Sequence, residues 1–214
     1  MSRTMHGSHR DLRAAIESVA RSEAALVGFL HDVGPVDSSQ PTRLPGWSVG
    51  HVLTHLARNA DSHVAMLSGA PQYGNGAEGR KTEIQSGATR PWPELVADVE
   101  AAGTALTQRY SSHADWEGTA HAVSGERPMA MLPLLRQREV ELHRVDLGLG
   151  HEFAALPADY VRRELRVLEM IWKARQPMGL TNLPAAALAL APTDRLAWLT
   201  GRSEPDGLEP AGVF

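Results

Sequence analysis

The sequence predicts a mainly α-helical protein, a four-helix bundle followed by a small α/β appendage. Three observations carry this reading. Four long stretches repeat apolar residues at helical spacing, the segments between them are rich in turn formers, and the final third is punctuated by proline. Long helices joined by loops bury their apolar stripes most simply against one another. The bundle is expected over residues 8–150, and a helix with the small α/β region over 151–214.

The first helix is expected over 8–32, where Leu12, Ile16, Val19, Ala24 and Leu26 recur among arginines and glutamates. GPVDSSQPTRLPG (34–46) reads as a loop, and Ser48 stands where an N-cap belongs. The helix after it carries a stripe of Val49, Val52, Leu53, Leu56, Ala60, Val64 and Leu67. Glycine, proline and polar residues over 69–91 predict a long loop, with room for a short helix. A third helix begins after Pro93 and runs to about Tyr110, with Leu95, Val99, Ala102 and Leu106 inward. Alternation at Trp116, Thr119, His121 and Val123, then Ser124-Gly125, indicates extended structure over 115–128. The fourth helix covers 129–147 and stops at Gly148. Another, over 157–175, carries Val161, Leu165, Leu168, Ile171 and Trp172. A short strand is expected at 186–191 and a short helix at Asp194–Thr200.

Composition narrows the function. With 214 residues, 43% hydrophobic and 21% charged, the chain has an ordinary soluble core. A net charge of −4 offers no electrostatic footprint for nucleic acid or an acidic membrane. LPAAALALAP (183–192), the longest apolar stretch, is too short to span a bilayer. The N-terminus MSRTMHGSHR lacks the apolar core of a signal peptide, so a cytoplasmic location is expected. There is no cysteine, which removes disulfides, thiolate ligands and any protein-borne thiol nucleophile.

The candidate chemistry lies in histidine spacing. Glu139 and His143 are four apart, on one face of the fourth helix, and His51 and His55 are four apart on the second. Facing helices that project N and O ligands inward are how bundles build metal sites. Two histidines and a carboxylate describe either a catalytic zinc centre with one open position or a non-heme iron triad. His51 is assigned to the helix start or to a supporting position rather than to the metal. His63, His113, His121 and His151 are expected on the surface or in loops, and Glu141 is expected to be solvated. Asp146 either orients His143 or ends its helix, and Trp47 reads as a packing anchor.

Three patches carry a resemblance. Leu44-Pro45-Gly46-Trp47-Ser48-Val49-Gly50-His51-Val52-Leu53-Thr54-His55-Leu56 is similar to the N-terminal signature of the DinB-like, mycothiol-dependent maleylpyruvate isomerase family. Arg138-Glu139 through His143-Arg144-Val145-Asp146-Leu147-Gly148 resembles the family's second ligand segment, and Leu196-Ala197-Trp198-Leu199-Thr200-Gly201-Arg202, followed by Asp206-Gly207, a third. The resemblance implies a DinB-like bundle in which His55, Glu139 and His143 hold zinc, with His55 also counted as catalytic. It implies that Arg202 reaches the active site. The family's C-terminal α/β domain is usually fuller than the residues after 175 provide, so the appendage is expected to be shortened.

The implied activity is conversion of maleylpyruvate to fumarylpyruvate, in aromatic catabolism by the gentisate pathway. A thiolate adds to the cis double bond, the adduct rotates, and elimination follows. Because the chain has no cysteine, the thiol comes from a small molecule, for which the family implies mycothiol; zinc lowers its pKa. Partners are thus a small carboxylate substrate and a low-molecular-weight thiol, with Arg202 pairing with a substrate carboxylate. Three other readings stay open: a mycothiol or other small-thiol S-transferase acting on an electrophile, a non-heme iron oxygenase, and a non-enzymatic binding or scaffold protein.

Overall fold

A computed structural model describes residues 2–176 and 181–213. The chain divides after Leu149 into two compact units. The first contains α1 (Ser2–Val33), α2 (Val49–Met66), α3 (Gly76–Gly87), α4 (Trp92–Ser112), the hairpin β1 (Thr119–Ala122) and β2 (Gly125–Pro128), and α5 (Leu132–Asp146). The second contains α6 (Ala158–Arg175), α7 (Ala185–Ala189) and α8 (Pro192–Leu199). None of the described helices is long and apolar enough to cross a membrane.

Four helices of the first unit form the expected bundle. α1 packs on α4 and α5, and α2 packs on α4 and α5. Val19, Leu26 and Leu30 of α1 meet Val52, Leu53 and Leu56 of α2, Leu95, Val99 and Leu106 of α4, and Val140 of α5 in one core. The inward face of α1 is partly polar: Ala24, expected in its stripe, is exposed, whereas Ser18, Ser22 and Glu23 are buried. Each buried polar group has a partner on α5, as burial demands. Gln137 donates to the hydroxyls of Ser18 and Ser22, each at 3.0 Å. Ser22 donates to Glu141 at 2.6 Å, and Arg144 donates to the other oxygen of Glu141 at 2.7 Å. Glu141 is therefore fully buried rather than solvated. Its burial is invisible to spacing because Ser22 lies 119 residues away on α1.

Arg136 is the largest such group and is also fully buried. Its Nε and Nη2 fork onto Glu23 at 2.6 and 3.2 Å, while Nη1 donates to the Leu56 carbonyl at 2.8 Å and to Asn59 Oδ1 at 2.9 Å. A buried ion is tolerable only with such full satisfaction.

The 69–91 segment is more helical than expected. α3 has glycines at 76, 79 and 87 and buries only Ile84, so it shows almost no apolar period. Its glycines allow close packing on α2, where a Cβ at Gly87 would lie 2.5 Å from Thr54 Cγ2. The expected strand at 186–191 is a second departure, since residues 185–189 are α7. Its sequence AAALA consists of the best helix formers and lacks β-branched residues, and Pro184 precedes its first turn. Arg195 of α8 then donates to the carbonyls of Ala187, Leu188 and Leu190 at the end of α7. Among the described residues the second unit holds helices and no strand.

Gly50 tests the α2–α3 contact. Alanine is the better helix former, by up to about 1 kcal/mol in a helix interior and less in a first turn such as this. A Cβ here, however, would stand 1.8 Å from the Ala88 carbonyl oxygen, a backbone atom that cannot turn aside. Gly50→Ala is expected to lower the unfolding free energy by about 1–3 kcal/mol in a urea titration. A gain in stability would rule out this approach.

Candidate metal centre

The loop ahead of α2 prepares the site. Pro45 and Gly46 occupy the middle of a turn closed by Trp47 N–H to the Leu44 carbonyl at 3.0 Å, and Gly46 takes φ +78°. Proline then a left-handed glycine is the type II pattern. Arg43 N–H donates to the Asp146 carbonyl at 2.9 Å, tying this loop to the end of α5. Ser48 caps α2 together with His51. The Nδ1 of His51 accepts from Ser48 N–H at 3.2 Å and pairs with its hydroxyl at 2.8 Å. His51 thus serves the helix start, in the manner of a capping box. The indole of Trp47 meets the His55 ring edge to face, with centroids 5.6 Å apart.

One turn further along α2, His55 points at α5 and is 3% exposed. Its Nε2 lies 2.8 Å from Glu139 Oε2, and His143 Nε2 lies 3.3 Å from the same oxygen. One ligand atom from each residue lies within 4.8 Å of the others. Zinc bonds to N and O of about 2.0–2.2 Å in a tetrahedron require ligand atoms roughly 3.3 Å apart. The donor set and its spacing fit a divalent cation of this kind. Glu139 keeps 33% of its side-chain surface accessible, so the cluster is not sealed.

Burial and hydrogen bonding hold a carboxylate between the two imidazoles. Burial pushes His55 down to about 4, against the pull of its Glu139 hydrogen bond, so it is neutral at pH 7. Burial would raise Glu139, but hydrogen bonds from His143 and His55 hold it well below the usual carboxylate range. For His143, burial is outweighed by hydrogen bonds to Asp146 and Glu139, and its pKa is raised. Asp146, fully buried, sits 2.9 Å from His143 Nδ1. There Nδ1–H donates to Asp146 and the ring is held with Nε2 facing the cluster, the usual support for a metal-binding imidazole. Of the two roles open to Asp146, the structure shows the orienting one.

A family model for the mycothiol maleylpyruvate isomerase N-terminal domain matches residues 19–148, which include all three clustered residues. The chain belongs to this family. Its fold is that of two crystal structures of a mycothiol-dependent maleylpyruvate isomerase. One, of a histidine-to-alanine mutant, has a TM-score of 0.78 at 19% identity, over 90% of each chain. The other has a TM-score of 0.75 at 21% identity, also over 90% of each chain. No curated protein matches in sequence.

The remaining residues named from the sequence are dispersed. His63 is 2% exposed, contrary to the surface expectation, and its Nδ1 pairs with the Tyr110 hydroxyl at 2.6 Å. Burial sends it down to about 3, so it is a neutral core group. His113 contacts the Met129 sulfur, and His121 is exposed on β1. Arg202 belongs to the second unit. It follows Gly201 at φ +70° in the Schellman motif that ends α8, where Arg202 N–H reaches the Ala197 carbonyl and Gly201 N–H that of Trp198. Arg80 of α3 was not singled out from the sequence, yet its Nη2 lies 3.2 Å from His55 Nδ1.

Asp146→Asn tests the support of His143. It is expected to weaken zinc binding about 10–100-fold in a chelator competition while the far-ultraviolet dichroism stays unchanged. Equal affinity would reduce Asp146 to a helix terminator.

Proposed function

We propose that this enzyme converts maleylpyruvate to fumarylpyruvate with a small-molecule thiol, mycothiol, at a zinc ion held by His55, Glu139 and His143. The observation that carries the reading is the convergence of those three side chains within 4.8 Å, inside the segment matched by the family. Zinc and the thiol together would supply what a chain without cysteine lacks, a thiolate near neutral pH able to add reversibly to a cis double bond.

The chain's own residues do the rest. Glu139 and Asp146 place negative charge around the cluster and draw a cation to it. Asp146 accepts from Nδ1–H of His143 and keeps its Nε2 turned to the cluster. His55 is neutral in its buried position, and its Nε2, which faces Glu139, would turn from hydrogen-bonding that carboxylate to binding the ion. The Trp47 edge shields one side of the His55 ring from water. Arg202, on this reading, pairs with a substrate carboxylate through its guanidinium fork.

Purified protein mixed with maleylpyruvate is expected to form fumarylpyruvate only when mycothiol is added, followed by ultraviolet absorbance with chromatographic identification of the product. A stable thioether product would instead assign an S-transferase. His55→Ala should abolish both bound zinc and turnover; full zinc occupancy in that variant would overturn the ligand assignment. Arg202→Met is expected to cut turnover at least tenfold with zinc content unchanged. Unaltered turnover would remove Arg202 from the mechanism.

A further inference from the structure

Arg80 is an unusual neighbour for a metal-binding histidine. It projects from α3 and is half-buried. Its Nη2 contacts His55 Nδ1, the ring nitrogen opposite the one facing Glu139. An arginine only donates hydrogen bonds and is always charged. A neutral imidazole nitrogen therefore occupies a single donor and neutralises nothing.

Four other arginines packed around α2 and α5 differ. Arg58 and Arg90 both pair with Asp98, at 2.6 and 2.7 Å. Arg136 pairs with Glu23 and Arg144 with Glu141. Among the described residues, no carboxylate pairs with Arg80. Its guanidinium lies over the buried Tyr73 ring, 5.9 Å from the centroid, which steadies the charge without satisfying its donors. A steadied cation with free donors, one imidazole's width from a cluster of metal-binding character, is a receptor for an anion.

We infer that Arg80 binds a carboxylate of the substrate and sets the substrate's position against the metal centre, an assignment that rests on the isomerase reading above. The substrate's two acidic ends give it a carboxylate to anchor while its double bond faces the cluster. A guanidinium suits this task because its fork matches a carboxylate with two parallel hydrogen bonds. Arg80 is here a substrate-positioning residue and takes no part in bond making.

The experiment uses the zinc-loaded protein, Arg80→Gln and Arg80→Lys. Zinc content is measured for each, along with calorimetric affinity for maleate, a cis dicarboxylate, and kcat and KM for maleylpyruvate. Arg80→Gln is expected to keep its zinc, bind maleate at least tenfold more weakly and raise KM by a similar factor, with a smaller change in kcat. Arg80→Lys should recover part of the affinity, since it restores charge but not the fork. Unchanged maleate affinity in Arg80→Gln would overturn the inference, as would a parallel loss of zinc, which would mean that Arg80 only orients His55. If the wild-type protein isomerises nothing yet binds maleate through Arg80, the isomerase reading fails and the anion site stands. If it isomerises and Arg80→Gln matches it in KM and in maleate affinity, only the present inference fails.

Discussion

The buried guanidinium of Arg136 sets the geometry on which the site depends. It spends four donor contacts on two other helices, two on Glu23 of α1 and two on the Leu56 carbonyl and Asn59 of α2. Leu56 directly follows His55, and Glu139 lies one turn beyond Arg136. Fixing Arg136 against Leu56 therefore fixes the height and rotation of α5 along α2, bringing Glu139 and His143 level with His55. A slip of one residue along α5 would rotate both ligands about 100° away. An apolar contact could tolerate such a slip, but a fully bonded buried ion could not, because breaking it costs about 3–5 kcal/mol.

A second polar layer reinforces this register. Ser18 and Ser22 receive Gln137, and Glu141 bridges Ser22 to Arg144. α5 is thus held to α1 on the side facing away from the ligands by directional bonds. α5 has little apolar character of its own to hold it in place, since buried Arg136, Gln137, Glu141, Arg144 and Asp146 interrupt its sequence. Its position is specified by partners rather than by hydrophobicity.

That distinction decides how much could be read from the chain beforehand. The bundle was legible because α2 and α4 carry continuous apolar stripes, and the hairpin because of its alternation and Ser124-Gly125. The pairing of Glu139 with His143 follows from helical spacing alone, and their meeting with His55 was named through the family resemblance. The burial of Glu141, Glu23 and His63 was not legible, because a polar residue inside a helix looks solvated until its partner on another helix is known. α3 was foreseen only as room for a short helix within a loop, for a related reason: its glycines and single buried isoleucine give no period, and its fit against α2 is a tertiary contact. α7 was misread because an alanine run is apolar enough to suggest a strand, although alanine prefers helix.

The unequal construction of α3 and α5 has an evolutionary consequence. The two helices carrying the clustered residues are tied together by buried hydrogen bonds whose loss is costly, so little in them can drift. α3 stands apart, with one buried apolar side chain and three glycines in twelve residues. It is fitted by shape against Gly50 and Thr54, with single side-chain contacts from Gln85 to His51 and from Arg80 to His55. A lineage could exchange the side chain at position 80, or the residues around it, and acquire a new acid, amide or alcohol as its preferred partner while the chemistry at the ligands stayed the same. If position 80 sets the substrate's place, the architecture separates inheritance of reactivity from inheritance of selectivity, with the first in the bundle and the second on a helix beside it.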